Sequence, residues 1–222
     1  MSARPRYRFR NLLVWLFLYL VLSPFLSELP HAGLLFQFFF TAVLMAAVFA
    51  IHKEDLSSRP ALALMVVLIG LFWLNSLNLL KISNIAINLL LAGYLGLLLV
   101  TFAGYILRAR RINSELIAAV LCLYFFIGLF WACLLILLQA IEPGSFAGVG
   151  LDKVLSLKQE FQHFNYLSFV TLTTLGYGDI TPQTPAAMAL CQVEAIIGQF
   201  FIAVLVARLV GIQVAQEIAG ER

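Results

Sequence analysis

The chain reads as long apolar runs broken by short polar punctuation. Runs near Asn11–Glu28, Leu34–Ile51, Ala61–Leu80, Ile85–Leu107, Glu115–Ile141 and Pro185–Val210 each approach the ~20 residues that a helix needs to cross a hydrocarbon core. They predict six crossings. The connections are short except between the fifth and sixth runs, where about 40 residues intervene from Glu142 to Thr184. That segment opens with the turn formers Glu142-Pro143-Gly144-Ser145, stays polar to Glu160, and becomes apolar again from Phe161 to about Thr173. A run of this length is too short to span and has the dimensions of a re-entrant helix. Irregular backbone at such depth is tolerable only where protein buries it or where it lines a wet cavity, so function is expected in this loop.

Composition changes the solvent. Of the 222 residues 63% are hydrophobic and 11% charged, against about 45–50% and 25% in soluble domains. There are too few polar side chains to cover a soluble globule, which sets aside nucleic-acid binding, disorder and cytosolic enzymology and leaves a lipid bilayer as the partner. Arg4, Arg6, Arg8, Arg10, Lys53, Arg59, Arg108, Arg110, Arg111, Arg208 and Arg222 fall on one side of a six-crossing arrangement. Only Lys81, Lys153 and Lys158 fall on the other. The positive-inside bias therefore predicts both termini in the cytoplasm. The basic start resembles a signal peptide, but no small-residue cleavage site follows it, so a retained anchor helix is expected. Cys122, Cys133 and Cys191 all lie within apolar runs and read as small buried side chains, with neither disulfide nor metal spacing. No nucleotide-binding, dinucleotide, metalloprotease or nucleophile-elbow motif occurs; no enzyme and no cofactor are expected.

The chemistry follows the short apolar run. The stretch from Ser168 to Pro182, Ser-Phe-Val-Thr-Leu-Thr-Thr-Leu-Gly-Tyr-Gly-Asp-Ile-Thr-Pro, resembles the pore signature of the tetrameric potassium-channel superfamily. The resemblance covers roughly residues 115–210 and implies an outer helix, pore helix, filter and inner helix. It implies an all-α integral membrane protein: six transmembrane helices, a re-entrant pore helix and a selectivity-filter loop, assembled as a fourfold homotetramer conducting K⁺. It also places Gly198 where many members have an inner-helix hinge. The corresponding divisions are a basic N-terminus (1–10), a four-span unit (11–111), a pore unit (112–210) and a short cytoplasmic C-terminus (211–222). A bacterial inner membrane suits such a chain, which ends too soon after its sixth run to hold a large cytosolic domain.

The residue types also make sense without the family. A dehydrated K⁺ needs a ring of oxygen dipoles, which one short strand cannot provide and four copies around an axis can. Thr174, Leu175, Gly176 and Tyr177 would supply carbonyls, with the Thr174 hydroxyl as the innermost ring. Aligning successive carbonyls demands alternating backbone handedness, and Gly176 and Gly178 enter positive-φ regions at little steric cost. Thr173 would support the filter from the short helix, whose carbonyl end near Thr171–Thr173 turns its negative dipole toward a mid-membrane cation. Leu175 stands where the commonest family pattern has valine, and Val170 where some members have a buried carboxylate. Asp179 then either accepts a hydrogen bond from Tyr166 or is solvated at the outer mouth.

On the sixth run, Gln199, Ile202, Val206 and Val210 form a stripe at steps of three and four that would face the pore. Glu194 lies about 140° away from Gln199 and points toward the short helix. It reads as a buried carboxyl bonded to Ser168, Thr171 or nearby backbone, or as a proton-sensitive coupling of inner helix to filter. Arg108, Arg110 and Arg111 read as inside anchors, because Ile85–Leu107 carries no charge to move through a membrane field. Strong voltage dependence is not expected. The gate is a kink at Gly198 with narrowing near Val206 and Val210, or the filter itself. A poorly selective cation channel, a potassium-uptake transporter subunit and a non-conducting regulatory subunit are the rival readings. The transporter would need four filter repeats, where this chain has one.

Overall fold

Helices that are apolar on every face are solvated by lipid or by one another, not by water. The structure, a computed structural model, describes residues 8–28, 32–51, 58–77, 83–109, 111–148, 150–151 and 157–220. Arg4, Arg6, Lys53, Lys81, Arg110, Lys153 and Arg222, used above for orientation, lie outside the described residues. In chain order the elements are α1 (Arg8–Glu28), α2 (Ala32–Ile51), α3 (Ser58–Ser76), α4 (Asn84–Arg108), α5 (Ser114–Ile141), β1 (Phe146–Gly148), α6 (Leu157–Leu172), β2 (Ile180–Pro182) and α7 (Pro185–Gly220). Among the described residues four helices are long and apolar enough to cross a membrane, over Arg8–Phe25, Asn84–Arg108, Ser114–Ile141 and Pro185–Val214. The described apolar stretches of α2 and α3, Gln37–Ala50 and Pro60–Asn75, are shorter.

α5 is the hub, packing on α1, α4, α6 and α7. Its first turn shows why. The Asn113 side chain accepts a hydrogen bond from the Leu116 amide at 2.8 Å, and Glu115 sits in the first turn, where the helix dipole favours a carboxylate. The same Glu115 carboxyl accepts from the Phe9 amide at 2.9 Å, so one side chain serves the starts of both α1 and α5. At the other end of α1, Gln162 of α6 donates to the Ser23 carbonyl at 2.5 Å. The Arg208 guanidinium of α7 donates to the Ile106 and Leu107 carbonyls at the end of α4, each at 2.8 Å. The starts of α1 and α5 and the later part of α7 therefore lie at the end of the bundle where α4 stops.

Between these ends the core is Leu12, Leu16, Tyr94, Leu95, Leu98, Phe102 and Phe126, all buried. Phe102 meets Phe9 and Phe126 edge-on, with ring centroids 5.5 and 5.1 Å apart, and the Tyr94 hydroxyl donates to the Leu44 carbonyl at 2.7 Å. In a bilayer such close packing and internal hydrogen bonding, not water exclusion, holds helices together. α7 differs from the rest. It rests on α5 and α6, while Val193, Ile196, Phe200, Ile202, Val204, Val206 and Val210 remain exposed.

One feature corrects the sequence expectations and two extend them. The fold is helical but not all-α: β1 and β2 form an antiparallel ribbon pairing Phe146 with Pro182, Ala147 with Thr181 and Gly148 with Ile180. Segments this short carry no periodicity, so no pattern announces them. The ribbon straps the chain after Asp179 to the end of α5, reinforced by the Gln183 amide donating to the Ser145 carbonyl at 2.7 Å and the Thr184 hydroxyl to Glu142 at 3.2 Å. α6 begins at Leu157, four residues before the apolar stretch does. α7 continues as helix past Val210 to Gly220, because nothing in residues 211–220 breaks it.

Candidate functional site

The loop 173–179 is built outward from the last turn of α6. Helix termini leave carbonyls without intrahelical partners, and here the loop supplies the donors. The Thr173 amide and hydroxyl both donate to the Phe169 carbonyl, at 3.0 and 2.6 Å. The Thr174 amide donates to Thr171 at 2.9 Å, and the Leu175 and Gly176 amides converge on the Val170 carbonyl at 2.9 and 3.3 Å. The Leu172 carbonyl accepts from the Tyr124 hydroxyl of α5 at 3.3 Å. The chain thus folds back on the helix end and leaves as an irregular ribbon.

That ribbon alternates in handedness. Thr174, Gly176 and Gly178 have φ of +57°, +60° and +77°. Two of these positions are the glycines picked out by sequence. Thr174 is the third, and no other non-glycine among the described residues has positive φ. A β-branched residue in that region costs about 1–2 kcal/mol, so surrounding contacts must hold it there. One contact comes from α7, where Gln199 Nε2 donates to Thr174 Oγ1 at 3.0 Å.

At the outer end, the Tyr166 hydroxyl donates to Asp179 Oδ2 at 2.7 Å, while Asp179 Oδ1 accepts from the Ile180 amide at 3.1 Å. The Tyr166 and Tyr177 rings stack at 6.5 Å between centroids and 7° between planes. The hydrogen bond to Asp179, with lesser contributions from burial and neighbouring charge, pushes the Tyr166 phenol up to about 12.

Behind the loop, α7 meets α6 at two further points. Ser168 Oγ lies 2.5 Å from Glu194 Oε1 and 2.8 Å from the Gly128 carbonyl of α5; all three elements meet at one hydroxyl, with Ser168 and Glu194 fully buried. Ser168 owns one proton and faces two acceptors. The set closes when Glu194 carries its own proton, donating to Ser168 while Ser168 donates to Gly128. Four residues on, Gly198 lies against the Leu172 carbonyl so closely that a Cβ there would overlap the oxygen. The resemblance marks this glycine as a hinge; its position also requires it for close approach, and α7 is unbroken through it.

Other expected site residues are less sharply placed. Ile202, Val206 and Val210 are exposed, as are Phe200 and Val204 on other faces of α7. Thr173 through Asp179 are exposed throughout, Leu175 at 55% and Tyr177 at 66%. Sequence reasoning missed the Gln199–Thr174 bond, the positive φ of Thr174 and the Arg208 tie to α4. The two-residue spacing of 174, 176 and 178 was the one signal that could have found the second of these.

The loop is thus an irregular ribbon of alternating handedness, seated on the carbonyl end of a short helix between two long apolar helices. Residues 119–214, from α5 through the loop 173–179 into α7, match the family model described as an ion channel. The chain thus carries an ion-channel domain and apolar helices suited to a membrane. No match was found among curated proteins.

Proposed function

We propose that four copies of this chain form a potassium-selective channel in a cell membrane, with six spans per copy and both termini cytoplasmic. It passes K⁺ down its electrochemical gradient without conventional voltage gating. The observation that carries this reading is the alternation of positive φ at Thr174, Gly176 and Gly178. Reversing handedness every second residue lets consecutive carbonyls point to the same side, which an ordinary strand forbids. The carbonyls of Thr174, Leu175, Gly176 and Tyr177 and the Thr174 hydroxyl then replace the hydration shell of the ion.

A single chain leaves this ribbon bare, and unpartnered backbone at membrane depth costs several kcal/mol per group, which supports assembly around a shared axis. The exposed apolar faces of α7 supply the surfaces for that assembly. Tyr166 and Asp179 brace the outer end, and the α6 carbonyl end lowers the cost of a mid-membrane cation. α4 holds no charged residue from Asn84 to Leu107, so it cannot act as a charge-carrying sensor. The test is K⁺ flux and bi-ionic reversal potential in liposomes, with Gly178→Ala as control. Selective K⁺ flux, abolished by Gly178→Ala, is expected. A reversal potential near zero for K⁺ against Na⁺ would favour a non-selective pore, and tetramers without flux a regulatory subunit.

A further inference from the structure

We infer that Gln199 is a positioning residue for the innermost ion ring: its amide, delivered from α7, orients the Thr174 hydroxyl and thereby sets affinity at the cytoplasmic end of the filter. This rests on the tetrameric pore reading. A threonine hydroxyl can rotate, and its oxygen serves a cation only while its proton points elsewhere. Gln199 Nε2 donates to that oxygen at 3.0 Å, which occupies one lone pair and leaves the second for the ion. The same bond reaches a residue held at φ +57°, where the backbone alone would relax.

The choice of glutamine has a physical reason. A carboxylate or an ammonium at this position would set a fixed charge beside the ion. The amide is neutral and donates. Its anchorage is stiff, because one residue earlier Gly198 lies on the Leu172 carbonyl and one turn before that Glu194 bonds Ser168. Four such amides would form a collar beneath the filter in the assembled pore.

The probe is Ba²⁺ applied from the cytoplasmic face, since a divalent ion close to K⁺ in size reports most strongly on the first oxygen ring it meets. In Gln199→Leu, which removes all four amides of the assembled pore at once, block is expected to weaken at least about three- to tenfold, the worth of one net hydrogen bond, with the protein still assembled in detergent. In a Thr174→Ala background, which lacks the hydroxyl, Gln199→Leu should change block no further, whereas in Thr174→Ser the effect should return. Block unchanged in Gln199→Leu, or an effect that adds in full on Thr174→Ala, overturns the inference while the pore reading stands. A wild-type protein that passes no K⁺ overturns the pore reading and the inference with it.

Discussion

Removing the Ser168 hydroxyl tests whether one proton too few is the organising fact where α5, α6 and α7 meet. Ser168→Ala leaves the Glu194 carboxyl fully buried, with Oε1 stripped of its partner and Oε2 already without one among the described residues. An unsatisfied buried polar group costs about 1–3 kcal/mol, so a loss near 2 kcal/mol is expected, roughly a thirtyfold fall in the folded-to-unfolded ratio. Glu194→Gln should behave differently. The Gln amide can donate to Ser168 as a protonated carboxyl does, which keeps the chain through Ser168 to Gly128 and holds the cost under about 1 kcal/mol. The assay is equilibrium denaturation of the purified protein in mixed detergent micelles, run as a double-mutant cycle with a coupling of about 1–2 kcal/mol expected between the two positions. If Glu194→Gln is as damaging as Ser168→Ala, Glu194 is a charged acceptor and the hydrogen count made above is wrong. If both changes are harmless, the junction does not hold the helices together.

Two further outcomes follow from the same contacts. Gly198→Ala places a methyl group on the Leu172 carbonyl, a backbone atom that cannot rotate away, and should cost about 1–3 kcal/mol in that assay. Gly211→Ala, in the same helix where an added Cβ meets nothing, should be neutral or stabilising by up to about 1 kcal/mol; equal effects would remove the close-approach reading of Gly198. The Tyr166–Asp179 bond should show in an alkaline titration. Its phenol is raised from 10.0 to about 12, chiefly by that bond, so the stabilisation is complete below pH 10 and is lost as pH rises through about 12. Asp179→Asn should bring one tyrosine back toward its ordinary range in near-ultraviolet absorbance, and an unmoved titration curve would show that the bond does not set the phenol's affinity for its proton.

Which parts of this arrangement can be read from sequence depends on whether a residue advertises its backbone or only its neighbours. Gly176 and Gly178 announce positive φ because glycine alone adopts it cheaply, and they bear it out at +60° and +77°. Thr174 takes the same conformation and announces nothing, since threonine normally avoids it and only tertiary contact holds it there. The apolar runs predict helices because length and hydropathy are local properties. The β1–β2 ribbon joins residues more than thirty positions apart through three-residue strands, below the length at which any pattern is visible. Arg208 counts toward orientation in the sequence, yet its guanidinium caps the carbonyl end of α4, a partner that no spacing rule could select.

These contacts also change how the two proposed gate positions relate. Within six residues α7 touches the loop 173–179 and the helix that seats it three times: Glu194 at Ser168, Gly198 at the Leu172 carbonyl and Gln199 at the Thr174 hydroxyl. A kink centred on Gly198 would move at least one of these points, because all three lie within about one and a half turns of the helix. Leu172 immediately precedes the loop and its carbonyl is also held by Tyr124 of α5, so a displaced α7 would press on a seat fixed from the other side. Further along, Arg208 ties the same helix to the end of α4. In the proposed pore, an inner-helix gate and a filter gate would therefore not be independent alternatives: the helix that would open one carries the bonds that shape the other.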